Sequence, residues 1–508
     1  MRYGYDVDGR KVSITYPDGS VQTASYERGQ LKNMVRPDGK AMSWSAYEWM
    51  RAKQLDTPSV KQVLEFDALQ RTAGIEAKNQ GNAVLLQRGY TYDKAGNITT
   101  RNTEDGEYAY GYDKLSRLIQ ATPPQSAQDK GLPVEGYAYD AVHNRVGSAS
   151  QAGEWLYNKD NQLLKFGAGV DETTYTYTAN GHVATESKNG VIKTYTYDAA
   201  DRLVSVTQKV AGHETEIARY AYDPFGRRIS KTVHGETTYF IYSDEGLVAE
   251  LNEGGDITRA YGWELNSMYG TAPLWQAEVG NNKISIAQFH TLITDHLGTP
   301  QIAVNDEGTV TWKAVSESFG KTTLDTNNQI TMNLRFPGQY FDEETNSHYN
   351  YFRDYNPNTG RYIQKDPIGL DAGINWYGYA NGNSLQFIDP YGDMAWVLIP
   401  IGIVVVAIIA VYPKPNQDGY SDDALPWNDC PPYGSSGGIN TWEEAYFFAG
   451  PIGLAIYWTM SKNGEDKAQG GAEHTKGKRP STKGKHERGQ SRKGRDNRGE
   501  KGDARRPY

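Results

Sequence analysis

Tyr175-Thr-Tyr-Thr-Ala-Asn-Gly-His182 and Tyr195-Thr-Tyr-Asp-Ala-Ala-Asp-Arg202 stand twenty residues apart, and their shared pattern decides the fold. In each, tyrosine and threonine alternate and a short polar run follows. Alternation is the period of a half-buried strand, and the polar run has the composition of a tight turn. An aspartate at the first turn position can bond the backbone N–H two residues on. A glycine or asparagine near the end tolerates positive φ. Tyrosine gives each strand a large apolar body with a polar tip, which suits a sheet packed on one side and wet on the other.

The same string recurs outward in both directions. It reads YDKAGN at Tyr92, YDKLSR at Tyr112, YDAVHNR at Tyr139, YNKDNQ at Tyr157, YDPFGR at Tyr222 and YSDEGL at Tyr242. Taken with Tyr177 and Tyr197, successive tyrosines are separated by 20, 27, 18, 20, 20, 25 and 20 residues. A period near twenty fits two short strands and two turns. One such unit cannot bury its own face, so the units must stack.

Composition agrees and excludes several classes. Aromatic residues make up 12% of the 508-residue chain, too many for disorder throughout. There are 37 Tyr against 12 Phe, with 54 Gly, a mixture that favours twisted β structure with many turns. A single cysteine rules out a disulfide framework and a Cys-rich zinc site. The opening residues MRYGYDVDGRKVS hold no apolar run, so no secretory signal is expected and export would use a non-Sec route. The net charge of −9 hides an asymmetry: from His474 to Tyr508 there are 13 Lys and Arg against four Asp and Glu. The body is therefore acidic and the tail basic.

These repeats resemble those of the Rhs/YD-repeat proteins. The resemblance strengthens at ITDHLGTP (from Ile293), NDEGTVTW (Asn305–Trp312) and SFG. It becomes highly specific from Leu334 to Gly392, LRFPGQYFDEETNSHYNYFRDYNPNTGRYIQKDPIGLDAGINWYGYANGNSLQFIDPYG, which is similar to the Rhs-associated core domain. The resemblance implies a mainly antiparallel β-shell of YD hairpins over residues 1–330. It also implies a core-domain plug over 331–392 and an enclosed C-terminal toxin. Relatives are longer, so a missing N-terminal shell or delivery protein and a cognate immunity protein are expected partners. The expected setting is competition between bacteria, with secretion or delivery into a target cell.

Two Asp-Pro-x-Gly motifs stand in the core, Asp366-Pro-Ile-Gly369 and Asp389-Pro-Tyr-Gly392. Two carboxylates held close cannot both ionise. One then activates water while the other supplies a proton to the amide. Taken alone, Asp-Pro-x-Gly is also ordinary turn chemistry. The family resemblance favours a self-cleaving pair, with the cut between Gly392 and Ala395. Arg361 and Lys365 are the nearby cations expected to orient it. The family pattern ends this motif in Gly-Leu, whereas this chain reads Gly392-Asp393. His296 is read as a hydrogen-bonded turn residue. No Gly-rich phosphate loop or HExxH motif is present.

Beyond Met394 the composition changes. Residues 396–412, WVLIPIGIVVVAIIAVY, carry no charge, and a second apolar patch covers 445–460. Both are open to two readings, a buried segment or a membrane-interacting hairpin. Between them lies Cys430, a thiol with no evident base. The region 393–473 is thus a hydrophobic toxin region, and 474–508 a basic tail suited to phosphate contact. Together they are expected to form a small α or mixed, partly disordered module. Within the tail, His486, Glu487 and Arg488 are the candidate acid–base group of a nuclease effector; no cofactor is evident, and a DNase could use a divalent metal. Two rival functions stand beside the nuclease: a membrane-active toxin, and a structural or carbohydrate-binding surface protein without enzymatic activity.

Overall fold

The computed structural model describes residues 1–397. Two long sheets dominate. A 14-stranded sheet runs from Arg2–Tyr5 to Arg145–Ser148, and a 16-stranded sheet from Leu156–Tyr157 to Thr322–Leu324. In both, each strand pairs antiparallel with its neighbours in sequence, as the hairpin repeat requires.

Each repeat is held by its own side chains. In the turn after Tyr197, Asp198 Oδ1 accepts the main-chain N–H groups of Ala200 (2.9 Å) and Arg202 (3.0 Å), and Oδ2 accepts Arg202 Nε at 2.8 Å. Asp201, the fourth turn residue, takes φ of 61°. The same arrangement recurs around Asp6, Asp67, Asp93, Asp113, Asp140, Asn158, Asp223 and Asp295. Asp6 and Asp67 belong to further units outside the regular series, the first with the same tyrosine string (YDVDGR from Tyr5) and the second with Phe66 in place of tyrosine. The arginine also laces one turn to the next: Arg202 Nη1 donates to the Asp223 carbonyl at 3.0 Å, and Arg117 Nη1 to that of Asp140 at 2.8 Å.

The motif tyrosine makes the second link. Tyr197 donates to the Val183 carbonyl at 2.8 Å, Tyr177 to Leu163 at 3.0 Å, Tyr222 to Leu203 at 2.7 Å and Tyr242 to Arg228 at 3.0 Å. Each acceptor lies six residues after the preceding motif's first residue. The aromatic two positions earlier (Tyr90, Tyr137, Trp155, Tyr175, Tyr195, Tyr220, Phe240) is buried. Strand pairing shifts register next to the motif tyrosine, as between Thr176 and Tyr177 and between Thr196 and Tyr197. A bulge bends and twists the strand, so a bulge in every repeat curves the wall.

Curvature brings the two sheets together edge to edge. Lys11 Nζ meets Glu245 Oε1 at 2.8 Å, Tyr16 donates to the Tyr261 carbonyl at 3.0 Å, and Arg36 pairs with Asp306 at 2.8 Å. Further along, Lys313 meets Glu104 at 3.0 Å and Ser318 meets Glu135. Both partners advance in the same direction along the chain, as stacked turns of one spiral must. The largest core unites them, with Ile14, Met34 and Trp44 packed among Trp263, Trp275 and Trp312.

After the wall comes a four-stranded sheet, Tyr340–Asp342, Ser347–Asn350, Arg353–Asn356 and Arg361–Tyr362. It and the loops behind it run along the repeat turns. Asn383 Nδ2 donates to Asn97 Oδ1 and the Ser116 carbonyl, both at 2.9 Å, Arg361 to Asn144 Oδ1 at 2.9 Å, and Tyr377 to the Gly181 carbonyl at 2.6 Å. The anchor is ionic. Arg228 grips Asp342 at 2.5 and 3.0 Å with both side chains 1% exposed, and Lys231 adds a contact at 2.9 Å. Burial pushes the Asp342 carboxyl up, and the Arg228 and Lys231 charges outweigh it, so it lies below the ordinary range.

Candidate functional site

Arg353, on the third strand of that small sheet, is the hub on which both predicted aspartates converge. Its Nη2 lies 2.7 Å from Asp366 Oδ2 and 3.3 Å from Asp389 Oδ2. All three residues are buried. The guanidinium is fixed by Nη1 on the Trp376 carbonyl at 3.1 Å, and its carbon sits 3.6 Å from the centre of the Tyr362 ring.

The Asp-Pro-x-Gly motifs place the acids by turn chemistry, so the turn reading and the paired reading describe the same atoms. Asp366 Oδ1 accepts the Ile368 N–H at 3.0 Å, and the Gly369 N–H reaches the Asp366 carbonyl at 3.1 Å. Asp389 Oδ1 accepts the N–H groups of Asp393 (3.0 Å) and Met394 (3.2 Å), while Oδ2 accepts the Tyr362 hydroxyl at 2.8 Å.

One peptide bond is held from both sides. The Gly392 carbonyl oxygen accepts Arg353 Nε, and the nitrogen of the next residue, Asp393, donates to Asp389. Gly392 has φ of 68°, and a Cβ there would lie 2.3 Å from the Asn350 carbonyl oxygen. Only glycine fits. The chain then turns back, and Trp396–Val397 pairs antiparallel with Phe387–Ile388.

Burial and the neighbouring charges shift the acids. Burial, opposed by Arg353 and assisted by Asp389, pushes Asp366 up to about 6. Burial and then Asp389 push Asp393 up to about 7. Asp366 also lines an open cleft of about 740 Å³ between the repeat turns and this segment, together with His182, Arg202, Phe225, Phe352 and Lys365.

The cations expected to orient the pair do not. Arg361 points away to Asn144 and Asn161, and Lys365 Nζ lies 3.8 Å from the Trp376 ring. Strand alternation explains Arg361: it faces opposite to its neighbour Tyr362. Arg353, thirteen residues before Asp366, was missed; its only sequence signal is its place in the strand preceding the one that carries Tyr362. His296 Nε2 meets the Leu385 carbonyl at 2.8 Å and its ring packs on Tyr90, tying a repeat turn to the closing segment. Burial lowers its pKa, as suits a neutral ring. His486, Glu487, Arg488, Cys430, the apolar stretches 398–412 and 445–460 and the basic tail lie outside the described residues. Among the described residues no cluster of three or more His, Cys, Asp or Glu is arranged for a metal, and no helix is long and apolar enough to cross a membrane.

Known proteins share this architecture. The chain is 32% identical over 421 residues to the double-stranded DNA deaminase toxin A of Burkholderia cenocepacia, covering 77% of this chain and 27% of the relative. It is 26% identical over 502 residues to the toxin protein Tse5 of Pseudomonas aeruginosa, covering 80% and 36%. It therefore spans roughly a third or less of the length of these relatives. Among solved structures, the Photorhabdus luminescens Tc holotoxin pore superposes with a TM-score of 0.61 at 18% identity, covering 79% of this chain and 22% of the other, and shares the fold. The teneurin YD-shell family model matches residues 45–381, and on that match, with the hairpin geometry above, the chain belongs to the Rhs/YD-repeat shell family.

Proposed function

We propose that this chain is the C-terminal part of an Rhs-type toxin that cuts itself at Gly392–Asp393 and so frees the segment beyond. The observation that carries the reading is the grip on that one peptide bond: Arg353 on its carbonyl, Asp389 on its nitrogen and Asp366 beside them. The donors around Asp389 suit a carboxylate, and Asp366, pushed up to about 6, holds the proton of the pair. Water from the cleft adds to the Gly392 carbonyl carbon and gives its proton to Asp389. The developing oxyanion is stabilised by Arg353 Nε and by the Asp366 proton. Asp389 then passes its proton to the Asp393 nitrogen, the C–N bond breaks, and Asp366 recovers its own. A Gly392 carboxyl group and an Asp393 amine remain.

The intact mass of the purified chain tests this. Wild type yields two fragments that meet at Gly392–Asp393, and Asp389→Asn and Asp366→Asn stay whole. A single intact mass for all three removes the reading. Because the active pair needs a proton on Asp366, the cleavage rate falls as pH rises through about 6.

The freed segment acts on nucleic acid in this reading. Its basic tail and the DNA-directed activity in the name of the Burkholderia relative support that. The cleaved full-length preparation then modifies DNA or RNA, and His486→Ala does not. Ion leakage from vesicles with no nucleic-acid product favours the membrane-active alternative, which rests on the uncharged stretch 396–412. Delivery into a target cell, an upstream shell and a protective immunity protein complete the proposal.

A further inference from the structure

We propose that Asn350 and Tyr362 form a relay that decides which carboxylate of the cutting pair carries the proton, which makes them positioning residues of that site. This rests on the self-cleavage reading above. Asn350 Nδ2 lies 2.8 Å from the main-chain carbonyl oxygen of Asp389 and 2.7 Å from the Tyr362 hydroxyl. The carbonyl can only accept, so the atom facing it is the amide nitrogen, and the orientation of the Asn350 side chain is settled by chemistry. The same nitrogen gives its second hydrogen to the phenol oxygen. The phenol's single proton therefore goes to its remaining neighbour, Asp389 Oδ2, at 2.8 Å.

The consequence falls on Asp389. Oδ2 receives Tyr362 and Arg353, and Oδ1 receives the N–H groups of Asp393 and Met394. All four hydrogen-bond partners donate, so the contacts of Asp389 suit the ionised carboxylate. Asn350, Tyr362 and Asp389 are at most 2% exposed, so the relay is buried. Asp366 differs: it has two donors, Arg353 Nη2 and the Ile368 N–H, against four at Asp389, and it lines the open cleft. The charged and titratable groups facing Asp389 are Arg353, Tyr362, Asp366, Asp393 and Tyr379. Of these, Tyr362 is the one whose donor direction is set by another side chain. Its ring also supports the Arg353 guanidinium, so Tyr362→Phe keeps the stack and removes only the hydroxyl.

The test is the pH profile of cleavage, followed on full-length chain made by cell-free translation and shifted to a series of pH values. Tyr362→Phe still cleaves, but its low-pH limb moves upward by about one unit, because the hydroxyl that donates to Asp389 Oδ2 is gone. The high-pH limb stays in place. A ring-fluorinated tyrosine at position 362 is a stronger donor and moves the low-pH limb the other way. Asn350→Ala shifts the limb in the same direction as Tyr362→Phe, by less. Thermal unfolding of each variant separates these shifts from loss of fold, and the fluorinated side chain decides the matter if Tyr362→Phe is unstable. Unchanged profiles for Tyr362→Phe and the fluorinated chain, with Asp389→Asn inactive, overturn the relay alone. Wild-type cleavage by Asp389→Asn overturns the cutting site itself.

Discussion

The repeat wall and the segment that follows it use the same residue types in opposite ways. In the wall the aspartate of the Tyr-Asp motif bonds its own turn: Asp198 reaches no further than Arg202. In the closing segment Asp389 is bound by Arg353 and Tyr362, 36 and 27 residues away. The motif tyrosines Tyr177, Tyr197, Tyr222 and Tyr242 are structural pins, each on the carbonyl of the preceding unit, whereas Tyr362 aims its hydroxyl at one of a pair of buried acids. Local chemistry repeated many times yields a wall that tolerates the loss of any single link. Long-range chemistry made once yields a site in which every link counts.

Four measurements sharpen or break this contrast. The largest effect is expected of Arg353→Ala, which leaves two buried acids without their shared cation and the Gly392 carbonyl without its donor. Self-cleavage falls by at least about 100-fold, read as the fraction of intact chain over time; cleavage at the wild-type rate would show that the hub is only structural. Next comes Asp342→Ala. It strands Arg228 in a site where both side chains are 1% exposed, and costs about 3–5 kcal/mol in denaturant unfolding.

The wall should respond far less. Tyr197→Phe loses one hydrogen bond to Val183 and costs about 1 kcal/mol. A cost as large as that of Asp342→Ala would mean that the repeats are not interchangeable. The last effect is read against pH and concerns Asp354, which burial pushes up to about 7 and whose carboxylate accepts Gln364 Nε2 at 2.6 Å. Its folded pKa is raised, so its stabilising contribution is full below the unfolded value of about 4 and is lost as pH rises through about 7. Asp354→Asn therefore flattens the fall in Tm across that window, and an unchanged slope would assign the pH dependence to Asp366 and Asp393.

Much of the wall was legible in the chain because its contacts span about one repeat. Tyr-Asp followed by a residue that accepts positive φ names the strand end, the capping carboxylate and the turn together. The unit at Asp67 escaped because its leading aromatic is Phe66, and the one at Asp6, though it reads YDVDGR, because it stands far from the regular series, although the turn chemistry is the same. The candidate site was half legible. The two Asp-Pro-x-Gly motifs announce their acids, but the cation was misassigned to Arg361 and Lys365 on proximity in sequence.

By itself, then, the sequence determined an antiparallel wall of capped hairpins, the family to which it belongs, and two aspartates set in rigid turns. Those features depend on residues within about twenty positions of one another, where covalent connection already limits the geometry. Only the tertiary structure decided that Arg353 joins the acids, that the Gly392–Asp393 bond lies between them, and that Asn350 and Tyr362 complete the cluster. These residues meet because the small sheet folds against the repeat turns and draws distant strands into one buried space, where a proton has few places to go.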